Sequence, residues 1–269
     1  MNPIQKSHET QTDTRAVSEL IGYTLTLGTV IFVLILITAG TIPIFDAAES
    51  NEAVNNMETN FNDISDTHAE IEQHGVERTT NDIRLPPGQF YITPEDSAET
   101  IEISNNNGQT EQFETRPLIF LTGNNEQIVY MNGIIASDIE GAQEPFITRH
   151  GTFISRDDPI QFRNHAYTNT ETESDVSTRS RTQTYNLDAS ENQRENRSSE
   201  IREISGTDLT ITIDTEHPEI WRQYFESHTS FTNVQIQNNG QQITADADTT
   251  AAEETIRIHE TEFELEFVN

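Results

Sequence analysis

The 26 residues from Leu20 to Phe45 carry no charge. They read as one apolar helix, because the hydrocarbon core of a bilayer needs about 20 apolar residues in a helix. Everything after Asp46 is polar and acidic, and has to be something that this run holds. The run is too long for a secretory signal core of about 7–15 residues. Lys6 and Arg15 precede it, and no Lys or Arg follows until Arg78. The positive-inside bias therefore places the N-terminus in the cytoplasm and the C-terminal bulk outside, as a single-pass membrane protein.

Charge is the second constraint. The chain has 46 acidic and 15 basic residues, a net charge of -31, and its bases are 14 Arg and one Lys. A dense carboxylate surface nearly free of Lys suits multimolar salt, where the Debye length falls to about 3 Å at 1 M. At low salt the same charge repels itself. Nucleic acid is disfavoured as a partner, because binding it needs clustered Lys and Arg. The absence of Cys removes disulfides and thiolate metal sites.

The residues before the apolar run are Arg15-Ala16-Val17-Ser18-Glu19-Leu20-Ile21-Gly22. This junction resembles the class III signal of archaeal type IV pilins and pilin-like proteins. The resemblance implies that a prepilin peptidase cuts after Ala16, with Arg15 before the cut and Val17 as the new first residue. The helix then stays on the mature protein as anchor and assembly core; a plain uncleaved signal anchor is the alternative. Leader residues 1–16 sum to zero charge, so cutting leaves -31. Glu19 is a candidate assembly contact by the logic that a buried carboxylate needs a partner. It stands third in the mature chain, whereas bacterial pilins carry their Glu at the fifth position. The other reading of Glu19 is an acid favouring the first turn of a helix.

The expected fold class is α+β. A long N-terminal transmembrane helix (17–45) continues into an amphipathic stalk helix and linker (46–84). A mainly antiparallel β head with one short helix follows (85–269). Val54, Met57, Phe61, Ile64, His68 and Ile71 form an apolar stripe at helical spacing, while Gly40 and Pro43 ahead of it predict a kink or break. In the head, Gln89–Thr93, Thr100–Ile103, Gln112–Glu114, Leu118–Thr122, Gln127–Met131, Ile134–Ser137, Phe146–Ile154 and Ile160–Phe162 read as short strands of a sheet or sandwich. Asn-Gly turns at Asn107-Gly108 and Asn132-Gly133 separate some of them.

Residues 166–207 read as a polar excursion with a short strand near Tyr185–Leu187. Asn196-Arg197-Ser198 is the one N-x-[ST] sequon, which makes Asn196 a candidate glycosylation site. Leu209–Ile213 resumes the sheet. Pro218 then opens a short helix whose Ile220, Trp221, Tyr224 and Phe225 form a core face. Val234–Gln237, Gln241–Ala245, Thr255–Ile258 and Phe263–Phe267 are the closing strands. This order is also similar, more loosely, to a group of uncharacterised haloarchaeal pilin-like membrane proteins, with Leu85–Tyr91 and Ile220–Phe225 the nearest segments.

No catalytic, cofactor or metal site is expected. The eight His make no H-x-H or H-E-x-x-H pattern. Asp214-Thr215-Glu216-His217 reads as a helix cap rather than a cation site. No Gly-rich phosphate loop and no G-x-S-x-G elbow occurs. The resemblance therefore implies an accessory pilin-like subunit of a type IV pilus-like surface structure, not an enzyme, with the prepilin peptidase and other pilin-like subunits as partners. The alternative is a single-pass surface protein whose acidic head binds a partner or ligand without polymerising.

Overall fold

The structure is a computed structural model that describes residues 13–74, 78–123, 126–138, 144–151, 153–155, 160–168, 181–189, 200–206, 208–228, 230–247 and 254–268. The chain divides into two compact units, residues 1–49 and Ser50–Asn269. Helix α1 covers Asp13–His74. In chain order the strands are β1 (Arg78–Leu85), β2 (Gln89–Ile92), β3 (Glu99–Ser104), β4 (Thr110–Thr115), β5 (Leu118–Leu121), β6 (Gln127–Met131), β7 (Ile134–Asp138) and β8 (Phe146–His150). Then come β9 (Ile154–Ser155), β10 (Ile160–Thr168), β11 (Arg181–Ala189), β12 (Glu200–Gly206) and β13 (Leu209–Asp214). Helix α2 (Pro218–Ser227), β14 (Phe231–Gln237), β15 (Gln242–Ala247) and β16 (Glu254–Val268) complete the described chain.

The strands form three sheets: β1-β11-β16-β10-β9 with β12 also on β16, β14-β15-β13-β3-β4, and β2-β5-β6-β7-β8. The described chain is thus mainly β. Among the described residues no helix is long and apolar enough to cross a membrane. This corrects the expected α+β fold class built on a long transmembrane helix. The physical reason lies in the side chains described along α1. Residues 52–72 alternate apolar with acidic and amide side chains, the pattern of a helix with one buried face.

The expected stalk is part of the head. Met57, Phe61, Ile64 and Ile71 are buried in one core with Phe90, Phe120, Tyr130, Tyr185, Leu187, Phe263 and Leu265. The spacing of the stripe puts these residues on one face of α1, and that face closes over the first and third sheets. A second core gathers Ile101, Ile103, Ile211, Ile213 and Ile243 under α2, whose Trp221, Tyr224 and Phe225 are fully buried. Pro218 opens α2 as its first residue, where the missing N–H has no intrahelical partner to lose.

Two further expectations change. Residues 166–207, read as a polar excursion, hold the end of β10, all of β11 and all of β12. They are strands through distant partners, since β11 pairs with β1 and β16, and β12 pairs with β16. Phe146–Ile154, read as one strand, is split at Gly151 (φ 64°) into β8 and β9. A Cβ on Gly151 would lie 2.5 Å from the Gly133 carbonyl carbon, so only glycine permits this approach. Gly133 (φ 81°) and Asn132 (φ 49°) make the tight turn between β6 and β7, the geometry that Asn-Gly favours.

Candidate functional site

One group of titratable side chains buried within the Ser50–Asn269 unit gathers where α1 meets β6, β10 and β16. His68 is fully buried. Its Nδ1 lies 2.7 Å from the Tyr130 hydroxyl and its Nε2 3.2 Å from the Tyr167 hydroxyl. The Phe263 and His165 rings stand 4.2 and 4.7 Å from it, centroid to centroid. One turn further along α1, Glu72 Oε1 meets His165 Nε2 at 3.0 Å and accepts from Thr261 Oγ1 at 3.2 Å. Arg163 approaches the other carboxylate oxygen at 3.9 Å. The His165 N–H donates to Asn132 Oδ1 at 2.7 Å, so the Asn-Gly turn is tied to the same cluster.

Environment sets the charge states. Burial, reinforced by the neighbouring His165, holds His68 well below the usual imidazole range. A neutral His68 with one ring N–H and one lone pair satisfies both tyrosines, one as donor and one as acceptor. Burial pushes Tyr130 and Tyr167 up. Burial also raises Glu72, but the His165 hydrogen bond and charge, Arg163 and Thr261 together outweigh it and hold the carboxyl below its ordinary value. Such a network fixes α1 in one rotation against the sheets, because each member has a specific partner. It sits inside the core, where it holds α1 against the sheets.

A second buried group anchors α2. Glu99 is 2% exposed. It accepts from the Trp221 indole N–H at 3.1 Å and from the Thr215 hydroxyl. Burial, with a smaller contribution from the Glu216 charge, outweighs these hydrogen bonds and pushes its carboxyl up to about 7. Thr215 also accepts the His217 N–H at 2.8 Å. The Asp214–His217 turn is therefore a structural corner before α2, and among the described residues no three His, Cys, Asp or Glu converge as metal ligands.

The surface offers two distinct features. A groove of about 250 Å³ is lined by Asp63, Asp66, Thr67, Glu70, Asn81 and Tyr185, among others. Its acidic character belongs to the general surface. The other feature lies in the unit of residues 1–49. Tyr23, Leu25, Leu27, Val30, Ile31, Phe32 and Val33 on α1 are 45–70% exposed. The Thr26 and Thr29 hydroxyls donate to the Gly22 and Leu25 carbonyls of their own helix, both at 2.8 Å. These hydroxyls are satisfied internally, so the helix surface can leave water at little polar cost.

Arg15, Ala16, Val17 and Glu19 fall on the α1 backbone, and their side chains lie outside the described residues, as does Asn196 altogether. The clusters around His68 and Glu99 were not read from sequence as polar networks. The available signal was a His at a core position of the α1 stripe; nothing set Glu99 apart from its many acidic neighbours. A family model described as a family of unknown function (DUF7289) matches residues 15–266. No curated protein and no solved structure matches the chain.

Proposed function

We propose that this chain, which belongs to the DUF7289 family of unknown function, is a pilin-like accessory subunit of an archaeal type IV pilus-like surface structure. In this reading it is held at the cell membrane with its acidic β head outside, and is trimmed by a prepilin peptidase. It then joins neighbouring pilin-like subunits through the apolar surface of its N-terminal segment. One observation carries the reading: seven large apolar side chains between Tyr23 and Val33 stand exposed on one stretch of helix. Contiguous apolar surface of this kind marks a site of association. The Arg15-Ala16-Val17 junction directly ahead of it supports trimming.

Mass spectrometry of the mature N-terminus tests the proposal. A chain beginning at Val17 is expected, and Arg15→Glu is expected to leave the leader attached. An intact leader on the native protein, or normal trimming of the variant, overturns the reading. Sedimentable filaments containing the chain distinguish an assembled subunit from a trimmed anchor.

A further inference from the structure

The head carries a second surface that is out of character with the rest of the chain. Residues 228–245 contain no Asp, Glu, Lys or Arg, although 61 of the 269 residues are charged (46 acidic plus 15 basic). This run is β14, its turn and most of β15. Thr232, Asn233, Gln235 and every residue from Gln237 to Gln241 are exposed, while Val234 and Ile236 are half-buried. β14 ends its sheet, pairing only with β15 among the described strands. An edge strand turns alternate N–H and C=O groups to an open side.

The other sheet edges are defended. β1 carries Arg78, Asp82 and Arg84, β4 carries Glu111 and Glu114, and β12 carries Glu200, Arg202 and Glu203. β8 holds Arg149, bound to Asn62 and Asp66 of α1 at 2.9 and 3.0 Å. β2 and β9 are only four and two residues long. On β14 the register shifts between Thr232 and Gln235, around Asn233 (φ 52°), which limits the regular edge to Gln235–Gln237. Two carboxylates of the same sheet, on β15 and β13, are held by neutral donors. Asp246 accepts from Asn233 and Thr210, and Asp214 from Gln242, each at 2.8 Å.

We propose that this edge docks a second copy of the chain, β14 against β14 antiparallel, about a two-fold axis at Ile236. That register sets Gln235 opposite Gln237 of the second copy on the outer face, where the two amides hydrogen-bond. It sets Ile236 against its own counterpart on the inner face. Charge selects the occupant. Two molecules of net charge -31 repel wherever carboxylates meet, and like charges across an interface are costly. The uncharged strand is where two such surfaces approach without opposing carboxylates. A three-residue ladder is small, so the contact is weak in free solution. It strengthens with salt, which screens the flanking acids. The inference does not rest on the pilin-like reading.

The chain has no Cys, so single Cys substitutions report cleanly. Full-length Gln235→Cys and Gln237→Cys chains, in detergent micelles, are oxidised separately and as a mixture. The mixture is expected to form disulfide dimers at least about tenfold faster than either chain alone. It should also outpace a matched mixture of Thr110→Cys and Gln112→Cys on β4, with the excess growing as salt is raised. Rates equal to those of the single chains or the β4 control overturn the proposal. Association through the apolar helix raises all of these rates alike, so the comparison isolates β14.

Discussion

Glu99 lies against α2 with the Trp221 indole and the Thr215 hydroxyl as its donors. Its carboxyl is raised from 4.5 to about 7, so the folded chain binds this proton more tightly than the unfolded chain does. The stabilisation is complete below the unfolded value and is lost as pH rises through the folded one. Ionisation of the buried group then costs on the order of 3 kcal/mol. Glu99→Gln keeps an acceptor for the indole and a donor for Thr215, and does not ionise. Denaturant unfolding of both proteins at pH 5 and pH 8 checks this. The native protein is expected to lose about 2.5 kcal/mol more than the variant between the two, and equal losses refute the assignment. Sequence alone made Trp221 legible as a core anchor, since it stands on an apolar helical face. Glu99 was not legible, because nothing local distinguishes a carboxylate that meets an indole 122 positions away.

At the scale of elements, periodicity told most where burial is local and one-sided. The α1 stripe, the Pro218 helix and the strands from β2 to β7 follow their apolar spacing closely. β1 and β12 were missed because Arg78–Leu85 and Glu200–Gly206 are mostly polar, and only their partners make them strands. The stripe, expected on an amphipathic helix, is buried in a core of the Ser50–Asn269 unit. Phe61 shows how fully. Its ring lies 5.6 Å from Tyr130 and 6.1 Å from Phe90, fully buried. Phe61→Ala is expected to cost about 3–5 kcal/mol in urea unfolding. A stalk side chain with no core around it would cost under about 1 kcal/mol, so a loss of that size overturns the core placement.

For the whole molecule, charge and topology pull in different directions of legibility. The net charge of -31 is read directly, and its consequence is self-repulsion of the compact state. Raising NaCl from about 0.15 M to 1 M shortens the Debye length from about 8 Å to about 3 Å. The thermal midpoint is expected to climb by several degrees in calorimetry, and an unchanged midpoint contradicts this electrostatic account. The three-sheet arrangement was not legible. Its defining contact is the parallel pairing of β10 with β16, from Ile160↔Ile256 to Thr168↔Glu264, and short-range turn signals say nothing of a pairing across that separation. β16 has a further consequence, for timing. It lies C-terminal to β10, β11 and β12 and is the strand that joins them. The strands of the other two sheets all precede β16 in the chain. The six-stranded sheet has to wait for its central strand, leaving Tyr185, Leu187 and the α1 face without their final cover until β16 has been made. The buried network around His68 therefore cannot close before β16, which supplies Phe263 and Thr261 to it.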